Sequence, residues 1–379
     1  MLVTLLVPAL LGTVVGVLLL RADMSDRPEF RTMAPGSSMI QVQVTAVDPT
    51  ATNLAQVQGR AADGSSVHVH VPPEYLPELR AGDRIRVVVL PTESAPGFPL
   101  PADAPTHVFL DFVRAPPMLL LAAVMTALVV AVARLRGLAA LVGLGVSLAG
   151  LGWFTLPALL AGRPAGAVAV VSASAVMFVV LYLAHGVSAR TSTALLGTLV
   201  GVVLTAGIGA WATGAAHLTG LSGEMAFDLV DLAPEASLRG VLLCGLVLAG
   251  LGVLNDVTIT QASAVWEIRA ASPAASRRAV FAGAMRIGRD HIASTVYTVA
   301  FAYVGAALPL VLLMAMSDRT LVDLLTAGEV AEEVVRTLVG SIGLVIAIPV
   351  TTVIGVLVAG PRSLTTTRRG PAPGGPPAG

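Results

Sequence analysis

Residues 239–265 read RGVLLCGLVLAGLGVLNDVTITQASAV. After Arg239 this run carries one charge, Asp256, over a length that exceeds the roughly 20 apolar residues a helix needs to cross a bilayer. Seven further runs approach the same length. Together the eight lie at roughly 1–20, 117–133, 138–160, 165–184, 193–217, 239–265, 288–316 and 337–359. The composition agrees. Hydrophobic residues make up 55 % of the chain and charged residues 12 %, where a soluble domain carries about 25 % charge. Mean hydropathy is +0.84. The chain is therefore read as an α-helical polytopic membrane protein with about eight transmembrane helices.

The first run lacks a basic n-region and has no small-x-small cleavage site before Arg21, so it reads as an uncleaved anchor. All 23 basic residues are arginine, and their placement sets the orientation. Arg134 and Arg136 follow the second run and Arg190 the fourth. Arg269, Arg277, Arg278, Arg286 and Arg289 lie between the sixth and seventh, and Arg362, Arg368 and Arg369 follow the eighth. These loops are expected inside. The opposite loops are acidic, with Glu224, Asp228, Asp231 and Glu235 in one and Asp318, Asp323, Glu329, Glu332 and Glu333 in another. Both termini are thus expected in the cytoplasm. The segment 21–116 is expected outside, and 117–360 forms a seven-helix bundle. The Thr-, Arg-, Pro- and Gly-rich tail 361–379 cannot bury a core and reads as disordered.

Residues 39–113 have a different period. Ile40, Val42 and Val44 alternate with polar neighbours, as do Val67, Val69, Val71 and Ile85, Val87, Val89. That is the pattern of half-buried strands. Asp63-Gly64 marks a hairpin turn, and a last strand over 108–113 leads into Pro116-Pro117. About five short strands predict a small extracytoplasmic barrel, OB-like or SH3-like. His68 and His70 share one strand face, but no third ligand is evident, so no metal site is assigned.

Zero net charge offers no surface for nucleic acid, and the single cysteine, Cys244, excludes an intramolecular disulfide. There is no HExxH, no GxGD pair and no GxxxxGK[ST] loop, so no cofactor and no enzymatic activity is expected. Gly220-Leu221-Ser222-Gly223 resembles the GxSG of rhomboid proteases but falls in an outer loop, with His217 only three residues before it.

Charges inside spans are costly and mark function by default. Asp256, Thr260, Ser263 and Glu267 follow one another at helical spacing, with Asn255 and Thr258 alongside. On the next span His291, Thr295 and Thr298 form one stripe, and Asp290, Ser294 and Tyr297 its neighbour, with Arg289 at the start. Taking the inner boundary near Trp266, Asp256 lies ~15 Å deep by helical rise, and His291 lies ~12 Å deep on the antiparallel helix. A carboxylate opposite arginine or histidine is the requirement of a proton relay. The competing reading is an ion pair that only fixes helix packing. Gly12-x3-Gly16 and Gly197-x3-Gly201 are helix-packing signals, and a homo-oligomer is compatible with the pattern.

Four stretches carry a family resemblance: 108–112, 181–191, 255–261, and 285–291 continuing to Pro309. On these the chain resembles the bacterial YibE/F family. That implies a multi-pass protein of the cytoplasmic membrane, embedded in lipid, and no settled activity. Residues 240–315 also resemble the central helices of the resistance–nodulation–division superfamily and of the Sec export-motor subunits. Leu251 stands where that pattern has glycine, and Val257 where it has threonine. This second resemblance implies that Asp256 carries the proton and Arg289 is its partner. The expected function is secondary transport or export, driven by protons, on an unknown substrate. The alternative is a membrane scaffold that binds a protein partner through its outer barrel.

Overall fold

The computed structural model describes residues 1–22, 33, 36–47, 55–91, 105–222 and 226–360. The tail 361–379 and Glu224 lie outside these. The chain forms two compact units, Pro28–Val132 and Met1–Arg27 with Ala133–Gly379.

In the first unit five strands close a barrel: β1 (Ser38–Ala46), β2 (Ala55–Ala61), β3 (Ser66–Val71), β4 (Arg84–Val89) and β5 (His107–Phe112). Their order is β1-β2-β3-β5-β4, with β3 and β5 parallel and the other pairs antiparallel. This order is OB-like and decides between the two barrels the sequence allowed. The alternating valines face inward as expected: Val42, Val44, Val57, Val69, Val71, Ile85 and Val87 form the core with Leu79 and Phe109. Burying each such side chain is worth about 1.5–3 kcal/mol. The β2–β3 turn is set by Gly64 at φ +87° and by Asp63, whose Oδ1 accepts the Ser65 backbone N–H at 2.9 Å and its hydroxyl at 2.6 Å. A 3-10 turn, Pro73–Glu78, stacks Tyr75 against Phe109 and Phe112.

The helices are α1 (Leu2–Leu20), α2 (Ala115–Gly150), α3 (Leu156–Leu160), α4 (Ala165–His185), α5 (Ala189–Ala215), α6 (Ala226–Leu232), α7 (Leu238–Ala271), α8 (Arg277–Ala306), α9 (Leu308–Ala315), α10 (Leu321–Leu325) and α11 (Gly328–Val358). A π-helical turn, Leu151–Thr155, joins α2 to α3. Among the described residues six stretches are long and apolar enough to cross a membrane, and a seventh if α8 and α9, bent by 71°, count as one span. The expected second and third spans run together as Ala115–Leu160, 46 residues, interrupted at Arg134 where φ is +54° and ψ −136°. The expected seventh span is broken at Ala307, just before Pro309, which suits the first turn of α9 and cannot continue α8.

The connector between α7 and α8 also differs from expectation. The sequence reading ended the sixth span at 265 and began the seventh at 288 because charges flank both. Here α7 runs on to Ala271 and α8 begins at Arg277, so the connector shrinks to the turn 272–276. Ser276 caps α8 by accepting the Ala279 N–H at 3.2 Å. Arg269 Nη1 closes the turn by donating to the carbonyls of Ala275 at 2.6 Å and Pro273 at 3.4 Å.

The centre of this unit is formed by α5, α7 and α11, with α4 packed against α5 and α7. Glycine decides how closely α5 and α11 approach. A side chain at Gly197 would collide with Thr351, and one at Gly343 with Thr205, a reciprocal fit of small residue against threonine on the two helices.

Candidate functional site

Two sets of polar groups lie on α7, and they differ in charge and in burial. The inner set is neutral. Thr258 and Thr198 of α5 share a hydrogen bond at 2.6 Å, and Thr258 also donates to the Asn255 carbonyl at 3.2 Å. Gln261, one turn on and 2 % exposed, donates through Nε2 to the Ala284 carbonyl of α8 at 2.9 Å and to Thr352 Oγ1 of α11 at 2.7 Å. Thr352 in turn donates to Ile348 O at 2.7 Å. One amide thereby ties three helices together. Gly288 of α8 makes room for it, since a Cβ there would lie 3.1 Å from Gln261 Oε1.

The outer set is charged. Asp256 Oδ2 lies 3.4 Å from His291 Nε2, and their side chains are 65 % and 27 % exposed. Among the described residues this is the one ion pair that joins two helices. Its length is that of an ion pair rather than a formed hydrogen bond. The stripe Asp256, Thr260, Ser263, Glu267 follows an edge of α7, while Val257, Thr258, Gln261 and Val265 face the interior. On α8, Arg289 and Asp290 are exposed and make no ion pair among the described residues. His291, not Arg289, is therefore the residue that meets Asp256. The hydroxyls expected to support the pair bond their own helices: Ser263 to Ile259 O at 2.8 Å, Ser294 to His291 O at 3.0 Å, Thr295 to His291 O at 2.8 Å and Thr298 to Ser294 O at 2.9 Å. Asn255 Oδ1 is buried without a hydrogen-bond partner among the described residues.

Sequence reasoning put Asp256 and His291 at similar depth and left arginine or histidine as the facing group, and it missed Gln261, Thr198 and Thr352. Gln261 stood in the quoted 255–261 stretch, and its signal was an amide in a span where no water can satisfy it.

The loop between α5 and α6 docks on α11. Glu332 accepts from the Gly220 N–H at 3.2 Å and from the Ser222 hydroxyl at 2.9 Å. The serine of the GxSG sequence is thus held by a carboxylate, with His217 at a backbone φ of +50°. Two cavities lie elsewhere among the helices. One, of about 230 Å³, lies in the crook of α8 and α9 against α11, beside Tyr303 and Glu333. The other, of about 240 Å³, lies among α1, α2 and α4. Neither is lined by Asp256 or His291. Among the described residues no three His, Cys, Asp or Glu side chains group as a metal site.

Helices long and apolar enough to cross a membrane, together with a five-stranded barrel, point to a class: a polytopic membrane protein with a small β-domain. Within that class, the sequence profile of the YibE/F-like proteins matches residues 121–361. The chain belongs to that family; the matched residues run from α2 through α11 and do not include α1 or the barrel. No curated protein and no solved structure matches the chain.

Proposed function

We propose that this YibE/F-like protein is a proton-coupled carrier, for transport or export, in which Asp256 takes up and releases a proton beside His291 as α7 and α8 shift. The observation that carries this reading is the 3.4 Å Asp256–His291 contact across two membrane-length helices. An ion pair that served packing alone would be enclosed and fully hydrogen-bonded. Asp256 is instead open on one side. Carboxylates do not face hydrocarbon uncompensated, so this edge meets water or a second protein surface, such as another copy of the chain. Arg289 and Asp290 on the same stretch of α8 extend that polar edge. The reading also takes Ala115–Leu160 as two crossings broken at Arg134, because 46 helical residues span ~69 Å, about twice the hydrocarbon core.

The resulting topology puts the barrel outside and both termini in the cytoplasm of a bacterial cell. Cysteines introduced at Ala62 and Ala274 test it, since Cys244 is buried. An impermeant maleimide should label Ala62→Cys and spare Ala274→Cys in intact cells; the opposite pattern overturns the orientation.

Proteoliposomes test the function. With a pH gradient imposed and a trapped pH-sensitive dye, the protein should dissipate the gradient faster than empty vesicles. A rate equal to that of empty vesicles, with and without substrates added from a cell extract, would count against proton coupling. It would favour the second reading, a scaffold, which the barrel's own closed core supports.

A further inference from the structure

The cavity among α1, α2 and α4 is lined almost wholly by apolar groups, with Val17, Val146, Gly150 and Val179 among its walls. Its polar atoms are already satisfied. Thr155 and Ser172 hydrogen-bond each other at 2.7 Å, and Ser147 donates to Gly143 O at 2.8 Å. An occupant therefore needs no polar group inside the cavity, and a buried polar ligand would go unpaired. At the π-helical turn the Leu156 N–H reaches back five residues to Leu151 O. The extra residue turns Trp153 outward, 50 % exposed, while Phe154 and Thr155 stay buried. Such π turns concentrate at functional sites.

A cation sits at one end. Arg21 follows Val17 by one turn of α1, and its guanidinium lies 4.5 Å from the centre of the Trp153 ring. Among the described residues no carboxylate pairs with it. Tryptophan and arginine side by side mark headgroup depth. From that level the cavity wall runs from Thr155 back to Val146, ~14 Å by helical rise, close to the ~15 Å that one leaflet contributes to the hydrocarbon core.

We infer that this cavity is a lipid site, which holds one acyl chain of an anionic glycerophospholipid while Arg21 pairs with the phosphate. The apolar wall, the depth of one leaflet and a cation at the rim that pairs with no carboxylate among the described residues together select this occupant. A zwitterionic lipid brings its own cation and leaves Arg21 no net counter-charge. The inference is independent of the Asp256–His291 relay.

Native mass spectrometry of the full chain, released from mild detergent after incubation with equal phosphatidylglycerol and phosphatidylcholine, tests it. The wild type should retain one lipid, chiefly phosphatidylglycerol. Arg21→Gln should keep a lipid but lose about fivefold of the headgroup preference. Gly150→Leu should lose the lipid altogether. A Cβ at Gly150 meets nothing within 4 Å, so the helix accepts the side chain, which grows into the cavity; Ala175→Phe fills the same space from α4. Equal retention of the two lipids by the wild type, or an unchanged lipid in a filled variant, overturns the site. If both filled variants lose their fold, the Arg21→Gln preference decides, because that change leaves the cavity packing intact.

Discussion

Asp111 in the barrel and Asp256 in the bundle are both carboxylates facing basic side chains, and the two are held very differently. Asp111 accepts the Phe112 backbone N–H at 2.8 Å, two contacts from Arg114 at 2.6 and 2.7 Å, and one from Arg86 at 3.2 Å across the strand pair. Its oxygens are occupied, and its place is fixed by register, with Arg86 directly opposite. Asp256 has one partner, at 3.4 Å, and an open side. The first arrangement resists change, because moving the carboxylate breaks several bonds at once. The second has a single contact to lose when the side chain moves. Among α7, α8 and α11 the hydrogen bonds that tie the helices come from neutral groups, above all Gln261, whereas Asp256 and His291 add one 3.4 Å contact.

The largest expected effect sharpens that division. Gln261→Leu leaves the Ala284 carbonyl without its amide donor and should cost about 1–3 kcal/mol, read as a lower melting temperature of the purified protein. A stability equal to wild type would shift the structural role back to the charged pair. Next comes Asp111→Ala, which removes partly exposed charge-assisted bonds worth about 0.2–1 kcal/mol each. Near-ultraviolet circular dichroism of the barrel aromatics Tyr75, Phe109 and Phe112 should report it.

The same carboxylate predicts a pH dependence. The Phe112 backbone N–H, with Arg114 and Arg86 in support, holds Asp111 below its ordinary value of 3.8. Its contribution to stability is therefore full above about pH 3.8 and is lost as pH falls through the lower folded value. In Asp111→Asn this acid-side loss should shrink; an unchanged acid limb would assign it to other carboxylates.

Much of this was legible in the sequence, for reasons that differ by region. Alternating Val67, Val69 and Val71 announce a strand because the period of two needs no knowledge of neighbours. The parallel β3–β5 pairing was not legible, since it depends on which edges meet in three dimensions. The arginines at 134 and 136 marked the break in Ala115–Leu160, and Pro309 marked the break after α8, but neither residue encodes the 71° bend. Glu267, Arg269 and Arg286 made the helices look shorter than they are, because a charged side chain does not by itself end a helix; Glu267 and Arg286 lie on the surface, and Arg269 is buried against the turn carbonyls. Rise per residue put Asp256 and His291 at matching levels of their helices, and the two side chains lie 3.4 Å apart. The direction in which each faces did not follow from rise, because it is set by α8 packing chiefly against α7 and α11. Arg289, the partner expected from resemblance, lies on the exposed side of that helix.

The smallest expected change in stability belongs to the residue with the largest expected change in function. Asp256→Asn keeps the shape of the side chain and removes its charge at a position that carries little packing, so stability should stay within about 0.5 kcal/mol of wild type. Measuring melting temperature and proton flux on one preparation of this variant is the most direct test. The account predicts an unchanged melting temperature with flux reduced to that of empty vesicles. A lowered melting temperature with wild-type flux per folded molecule would contradict it and make the Asp256–His291 pair a structural ion pair.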